Sequence, residues 1–157
     1  MSLIKKVAPL AAAAALGAGT MAVAQSGGGD PVREALAAQV NPKGATGRTL
    51  ALSRVTVPAG AELALHHHTG TQIARIDAGT LTYTVKTGSV KVHKGDVGED
   101  TVVRTISAGQ TGQIKTGQWI VEQPSVVHQA ANRGTKTVVI YLSSLLPNGD
   151  PPSVPNR

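Results

Sequence analysis

The sequence predicts an all-β protein, either a sandwich or a jelly-roll barrel, and three observations lead to this fold class. Short runs rich in Val and Thr recur along the chain, frequent turn residues that include many of the 18 glycines separate them, and 157 residues suit a single domain. Aromatic residues make up 2% of the chain and Phe is absent, so we expect the core to consist of Val, Ile, Leu and Ala.

The first 24 residues have the pattern of a secretory signal peptide. Lys5 and Lys6 precede an apolar stretch, Val7–Val23, that ends in the small-residue pattern Ala-Val-Ala. The alternative is a retained membrane anchor, because the stretch is close to the roughly 17–25 residues that span a bilayer. Pro9 and the weakly hydrophobic composition favour cleavage after Ala24. We therefore predict an exported protein, periplasmic or extracellular, without a membrane partner after cleavage.

Composition excludes several classes of function. The chain has no cysteine, which rules out disulfides and thiolate metal ligands. The formal net charge is +6, and it falls to +4 when Lys5 and Lys6 are removed with the signal peptide. The remaining Lys and Arg residues are scattered, with no basic run and almost no aromatic residues between them. This distribution argues against a nucleic-acid partner.

The mature chain divides into a lead-in at 25–49, a strand-rich domain at 50–146 and a Pro-rich tail at 147–157. Within the lead-in, residues 31–39 resemble a short helix that Asp30 would cap, with Pro31 at its first position. Strand-like runs separated by turn residues follow at 50–57, 62–68, 71–77, 80–87, 89–93, 101–106, 112–115, 118–122, 126–131 and 135–143. The tail is predicted to be extended.

Histidines supply the candidate metal ligands. In a strand, His66 and His68 point to one face with their Cα atoms about 7 Å apart, while His67 points to the other. Two imidazoles at this spacing can converge on one ion. Gln72 follows across a turn and could add its amide oxygen, and His128 would have to arrive by folding. The alternative is an exposed strand end without a ligand role.

The spacing of these residues resembles the motifs of the cupin superfamily. The first cupin motif, G-x5-H-x-H-x3/4-E-x6-G, is matched from Gly60 through His66, His68 and Gln72 to Gly79, with Gln72 in place of the usual Glu. The second, G-x5-P-x-G-x2-H-x3-N, is matched at Gly117, His128 and Asn132, but its inner Pro-x-Gly is absent. The resemblance covers roughly residues 50–143.

Membership in this superfamily implies a double-stranded β-helix, that is, a jelly-roll barrel, with tight bends at the motif glycines. It also implies that His66, His68, Gln72 and His128 point into the barrel and bind one divalent metal ion. Cupins often form dimers, so the resemblance makes a homodimer possible, although the sequence alone does not determine the oligomeric state. Tyr83 and Trp119 would belong to the core or the pocket wall, and strand alternation does not decide where Glu62 and Glu122 point.

Gln72 shapes the functional prediction because an amide adds no charge to the metal. Three imidazoles and an amide suit Fe, Zn, Ni, Cu or Co and would attract an anionic ligand. Gln72 could instead remain outside the coordination sphere. The resemblance favours a mononuclear, dioxygenase-like oxidoreductase that acts on a small metal-chelating substrate. The alternative is a non-catalytic protein that binds or senses a small ligand or the metal; a manganese oxalate oxidase or dismutase is less well supported.

Overall fold

The computed structural model describes residues 29–156, which form strands, turns and loops. The strands are β1 Val32–Val40, β2 Arg48–Val57, β3 Glu62–His67, β4 Thr71–Ala78, β5 Thr80–Thr87, β6 Ser89–Lys94, β7 Thr101–Ser107, β8 Thr111–Lys115, β9 Gln118–Glu122, β10 Val127–Ala131, β11 Val138–Pro147 and β12 Val154–Pro155. Within residues 29–156 there is no helix with the length and apolar character needed to cross a membrane. The predicted signal peptide lies outside the described residues.

Two antiparallel sheets build the domain. The larger has the strand order β1-β2-β11-β4-β9-β6-β7, and the smaller has the order β12-β3-β10-β5-β8. Neighbours in each sheet are mostly distant in sequence, as in the pairs β2–β11 and β3–β10. This is the jelly-roll arrangement that the sequence predicted, and the ten strands expected between residues 50 and 143 are all present as β2 to β11.

The core lies between the sheets and follows the two-residue period of the strands. Its buried side chains alternate with exposed ones along β2, β5 and β11, and they are almost entirely aliphatic. Val57, Val85 and Ile114 are fully buried, and Tyr83 is the single aromatic side chain among the buried hydrophobic residues described. The prediction of a core of Val, Ile, Leu and Ala is confirmed.

The helix predicted over residues 31–39 is wrong, because this segment is strand β1. It pairs antiparallel with β2 from Val32 opposite Thr56 to Val40 opposite Thr49, with a bulge between Ala35 and Ala37. Ala, Leu, Glu and Gln are good helix formers, but intrinsic propensity is a small contribution, and pairing with an existing sheet edge overrides it. The barrel wall therefore begins in the segment treated as a lead-in.

The Pro-rich tail is extended, as predicted, and it also joins the smaller sheet. Strand β12 places Val154 opposite His67 and Pro155 opposite His66. The backbone N–H of Asn156 donates to the Leu65 carbonyl at 3.0 Å. The tail thus covers the free edge of β3, the strand that carries the first histidines.

The motif glycines and Asn132 shape the turns. Gly60, Gly79 and Gly117 all have φ near +80°, a conformation that other residues rarely adopt. The Asn132 amide donates to the carbonyls of Val57 and Lys136, at 2.8 Å each, and its oxygen accepts from the Gly134 N–H. Asn132 therefore ties the end of β2 to the turn that precedes β11.

Candidate metal centre

A cavity of about 510 Å³ opens between the sheets. Its walls are mainly aliphatic, with Ile76, Ile120 and Leu142 among them, while a compact polar group lies at one side. That group contains all four residues predicted from the sequence, His66, His68, Gln72 and His128, together with Tyr83 and Glu122. A mostly apolar cavity with a few converging polar groups is typical of a small-molecule site.

Strands β3 and β10 bring the three histidines together. His66 and His128 are directly opposed in the β3–β10 ladder, and His68 follows the last residue of β3. One ring nitrogen from each of the three lies within 4.8 Å of the others, and both His68 and His128 are buried. The structure therefore brings His128 to the HHH segment across sixty residues of sequence, as the motif spacing predicted.

Backbone carbonyls orient the imidazoles. His66 Nδ1 lies 2.6 Å from the Ala64 oxygen, and His68 Nδ1 lies 2.7 Å from the Pro152 oxygen. Because a carbonyl oxygen can only accept, each of these Nδ1 atoms carries a proton, and in the neutral ring Nε2 is the nitrogen with the lone pair. In metalloproteins, a hydrogen bond from the ring nitrogen that does not bind the metal to a carbonyl oxygen commonly fixes the orientation of a histidine ligand. The donor set thus fits a divalent ion that prefers imidazole.

Gln72 lies in the site, but its amide nitrogen faces the histidines. This nitrogen is 2.8 Å from His68 Nε2 and donates to Glu122 Oε2 at 2.5 Å. On the other side, the Ser144 hydroxyl donates to Gln72 Oε1 at 2.9 Å. The amide oxygen is therefore directed to Ser144. Of the two roles expected from the sequence, this geometry favours the one outside the coordination sphere.

Glu122 is the site residue that the sequence analysis did not assign. Its carboxylate is 3% exposed, with Oε1 at 3.1 Å from His128 Nε2 and Oε2 at 3.5 Å from His68 Nε2. The Tyr83 hydroxyl donates to Oε1 at 2.7 Å, and the Tyr83 ring stacks on His128. In β9, Ile120 is buried and faces inward. Because side chains two residues apart in a strand share a face, Glu122 faces inward as well.

Burial and neighbouring charge set the electrostatics. Burial lowers the pKa of His66 to about 4, with a further contribution from His128, so its ring is neutral at pH 7. Burial alone would raise the pKa of Glu122, but His128 and His68 outweigh it and hold that pKa well below the usual range. The pKa of Tyr83 is raised well above 10 by burial and by Glu122, which keeps the phenol protonated as a donor.

The remaining histidines lie outside this group. His67 points away from its neighbours, as predicted, and its Nδ1 is 2.6 Å from the Asn156 side-chain oxygen. His93 is in strand β6, stacks on Trp119, and its Nδ1 is 2.6 Å from Asp100 Oδ2. Both are suitable controls for substitutions at the metal centre.

The mouth of the cavity combines one cation with an ion pair. Arg33 on β1 is opposite the inward-facing Val55, and it is the single Arg or Lys among the residues that line the cavity in the described part of the chain. Glu62 also lines the cavity but is bound to Arg133. Pro152 and Ser153 of the tail complete the rim.

No protein-family model matches the sequence, and no curated protein is significantly similar to it. Among solved structures, a cupin 2 domain-containing protein from Halorhodospira halophila is 13% identical, with a TM-score of 0.53 over 81% of this chain and 71% of that one. The polyketide cyclase RemF from Streptomyces resistomycificus is 14% identical, with a TM-score of 0.54 over 86% and 77% of the two chains. The chain therefore shares the fold of these structures, a jelly roll of two antiparallel sheets.

Proposed function

We propose that the protein binds one divalent metal ion through His66, His68 and His128 and uses it to hold a small ligand in the cavity. The observation that carries this proposal is the convergence of three ring nitrogens within 4.8 Å at the wall of a 510 Å³ cavity. Carbonyl bonds turn the Nε2 atoms of His66 and His68 towards the site, and an ion at His68 Nε2 would replace the 2.8 Å contact of that atom with the Gln72 amide nitrogen. The ion would be Fe, Zn, Ni, Cu or Co, all of which accept imidazole.

For the chemistry, we propose a mononuclear, dioxygenase-like oxidoreductase that acts on a small metal-chelating substrate. A metal bound by three histidines supplies Lewis acidity and open coordination positions. The chain contributes a cavity lined mainly by aliphatic side chains and a cation, Arg33, that would attract a carboxylate or enolate. Tyr83 remains protonated and can hold Glu122 in position throughout.

A non-catalytic role is the second candidate. The same cavity and metal would then capture or sense a small ligand, and the fold does not distinguish the two activities. The departure of Gln72 from the cupin motif favours this alternative, because the usual acidic residue is missing from its usual place. Oxygen consumption with chelating substrates such as flavonoids, diketones and thiol acids separates the two candidates.

The test of metal binding is metal content after purification without added metal, followed by titration of the stripped protein. We expect one ion per chain in the wild type and a steep loss in His66→Ala, His68→Ala and His128→Ala. His67→Ala and His93→Ala should retain the ion. Equal metal loss in all five variants would refute the assignment.

Export, the absence of nucleic-acid and membrane partners, and a homodimer stay predictions. Cleavage after Ala24 would leave Gln25 at the start of protein recovered from the periplasm or medium, and N-terminal sequencing decides this. Recovery of protein that begins at Met1 or Ser2 would instead indicate a retained anchor.

A further inference from the structure

We propose that Glu122 supplies the acidic ligand of the metal centre. The carboxylate that the motif places at position 72 is then found at position 122, on the paired strand, and position 72 carries an amide instead. This inference rests on the proposed three-histidine metal site. It concerns a residue outside both motifs, on β9. Its basis is the position of one buried carboxylate relative to the histidine nitrogens.

The separations of Glu122 from two of the three histidines, which are also those of direct His–carboxylate contacts, are compatible with ligands on a common ion. Two atoms that each lie about 2.1 Å from one ion are about 3.0 Å apart at a right angle and about 3.4 Å apart at the tetrahedral angle. Glu122 Oε1 is 3.1 Å from His128 Nε2, and Oε2 is 3.5 Å from His68 Nε2. The carboxylate thus lies at ligand spacing from two histidines.

The hydrogen bonds of Gln72 assign it the supporting role. A carboxylate can only accept, so the Gln72 atom that lies 2.5 Å from Glu122 Oε2 must be the amide nitrogen. The reversed amide would place two oxygens in contact. The Ser144 hydroxyl then donates to the amide oxygen of Gln72. This oxygen lies on the side of the amide away from the histidines. A neutral amide nitrogen has no lone pair suited to a metal.

The register explains why the exchange is possible. Gln72 on β4 and Glu122 on β9 are direct partners in the ladder, and Ser144 on β11 is the partner of Gln72 on its other side. All three are buried. Their side chains therefore form one row across three neighbouring strands, and a carboxylate can reach the histidines from either of the two positions nearest them.

The same pairing explains the departure from the motif. A Glu at position 72 would place a second carboxylate about as close to Glu122 as the amide is now, and two buried like charges at that separation cannot both ionise. With Gln72, one negative charge remains and receives a donor. The ligand set of the metal centre then consists of three histidines and one carboxylate and carries one negative charge. A set of three histidines and the Gln72 amide would carry none.

The experiment uses the full mature chain, stripped of metal and titrated with Co²⁺, with affinity and the visible Co²⁺ absorption spectrum as readouts. The proteins are wild type, Glu122→Gln, the double variant Gln72→Glu/Glu122→Gln and His66→Ala. We expect Glu122→Gln to weaken Co²⁺ binding at least tenfold and to change the spectrum. The double variant should recover to within about tenfold of wild type, because it returns a carboxylate to the paired position.

The double variant separates a ligand role from structural damage. If Glu122→Gln merely distorted the barrel, the double variant would bind Co²⁺ no better, and that result would overturn the inference. Unchanged affinity and spectrum in Glu122→Gln would also overturn it. If wild type and His66→Ala bind Co²⁺ with equal affinity, the proposed three-histidine site is wrong. If His66→Ala loses Co²⁺ affinity and Glu122→Gln does not, the histidine site stands and Glu122 is not a ligand.

Discussion

The backbone oxygen of Pro152 lies 2.7 Å from Nδ1 of His68, which joins the C-terminal tail to a proposed metal ligand 84 residues away in sequence. This bond fixes the ring so that Nε2 faces the site. The tail itself is held by β12 and by the bond from Asn156 to the Leu65 carbonyl. The tail therefore contacts the candidate metal centre and also covers the edge of β3.

Truncation after Gly149 should weaken metal binding roughly 10–100-fold, the range typical of losing a group that orients a ligand. The shortened chain loses the Pro152 carbonyl, so the His68 ring is free to rotate and to change tautomer. Co²⁺ titration measures the effect. Asn156→Ala is the matched control, because it removes the side-chain contact with His67 and keeps Pro152. Equal affinity in the truncated and full-length chains would show that the tail does not orient His68.

Tyr83→Phe should destabilise the metal-free protein by about 1–3 kcal/mol, because it leaves a buried carboxylate without one of its donors. The ring stays in place against His128, so the change isolates the 2.7 Å bond to Glu122. Urea unfolding in the presence of EDTA measures it. Tyr141→Phe, on the partly exposed outer side of β11, should change stability by less than about 0.5 kcal/mol. Equal effects in the two variants would contradict the role given to Tyr83.

Most of the fold was accessible from sequence because its strands have clear local signals. Alternating apolar residues and turn glycines predicted β2 to β11, and the motif spacing predicted that His66, His68 and His128 converge as candidate metal ligands. Strand β1 was not accessible in this way. Its composition favours a helix, and its real stabilisation comes from pairing with β2, which is a tertiary interaction.

Glu122 was missed for a related reason. Strand β9 has apolar residues on both faces, Trp119 and Val121 on one and Ile120 on the other, so alternation alone could not show which side was buried. Its place opposite Gln72 depends on the pairing of β4 with β9, fifty residues apart in sequence. The role of Pro152 depends in the same way on where the tail docks.

The metal-free protein should lose stability as the pH falls from about 6.5 towards 4. The pKa of His66 is lowered from 6.5 to about 4 by burial, so between these values the unfolded chain binds a proton that the folded chain does not. The free energy of unfolding therefore decreases on acidification. The urea concentrations at the unfolding midpoint, measured in EDTA at pH 7.5 and at pH 5.0, test this. The difference between the two midpoints should be smaller for His66→Gln than for the wild type. An identical difference in both proteins would exclude His66 as the cause.

Arg33 should select anionic ligands at the cavity mouth. Arg33 is an exposed residue and the single Arg or Lys that lines the cavity in the described chain, so we expect water to screen its attraction for an anion to about 1 kcal/mol or less. Arg33→Gln should therefore weaken the binding of oxalate to the metal-loaded protein by up to about fivefold. Binding of neutral imidazole should not change. Isothermal titration of both ligands measures the two effects, and Arg48→Gln, which removes a charge away from the cavity lining, is the control. An equal loss for oxalate and imidazole would mean that Arg33 shapes the mouth and does not recognise charge.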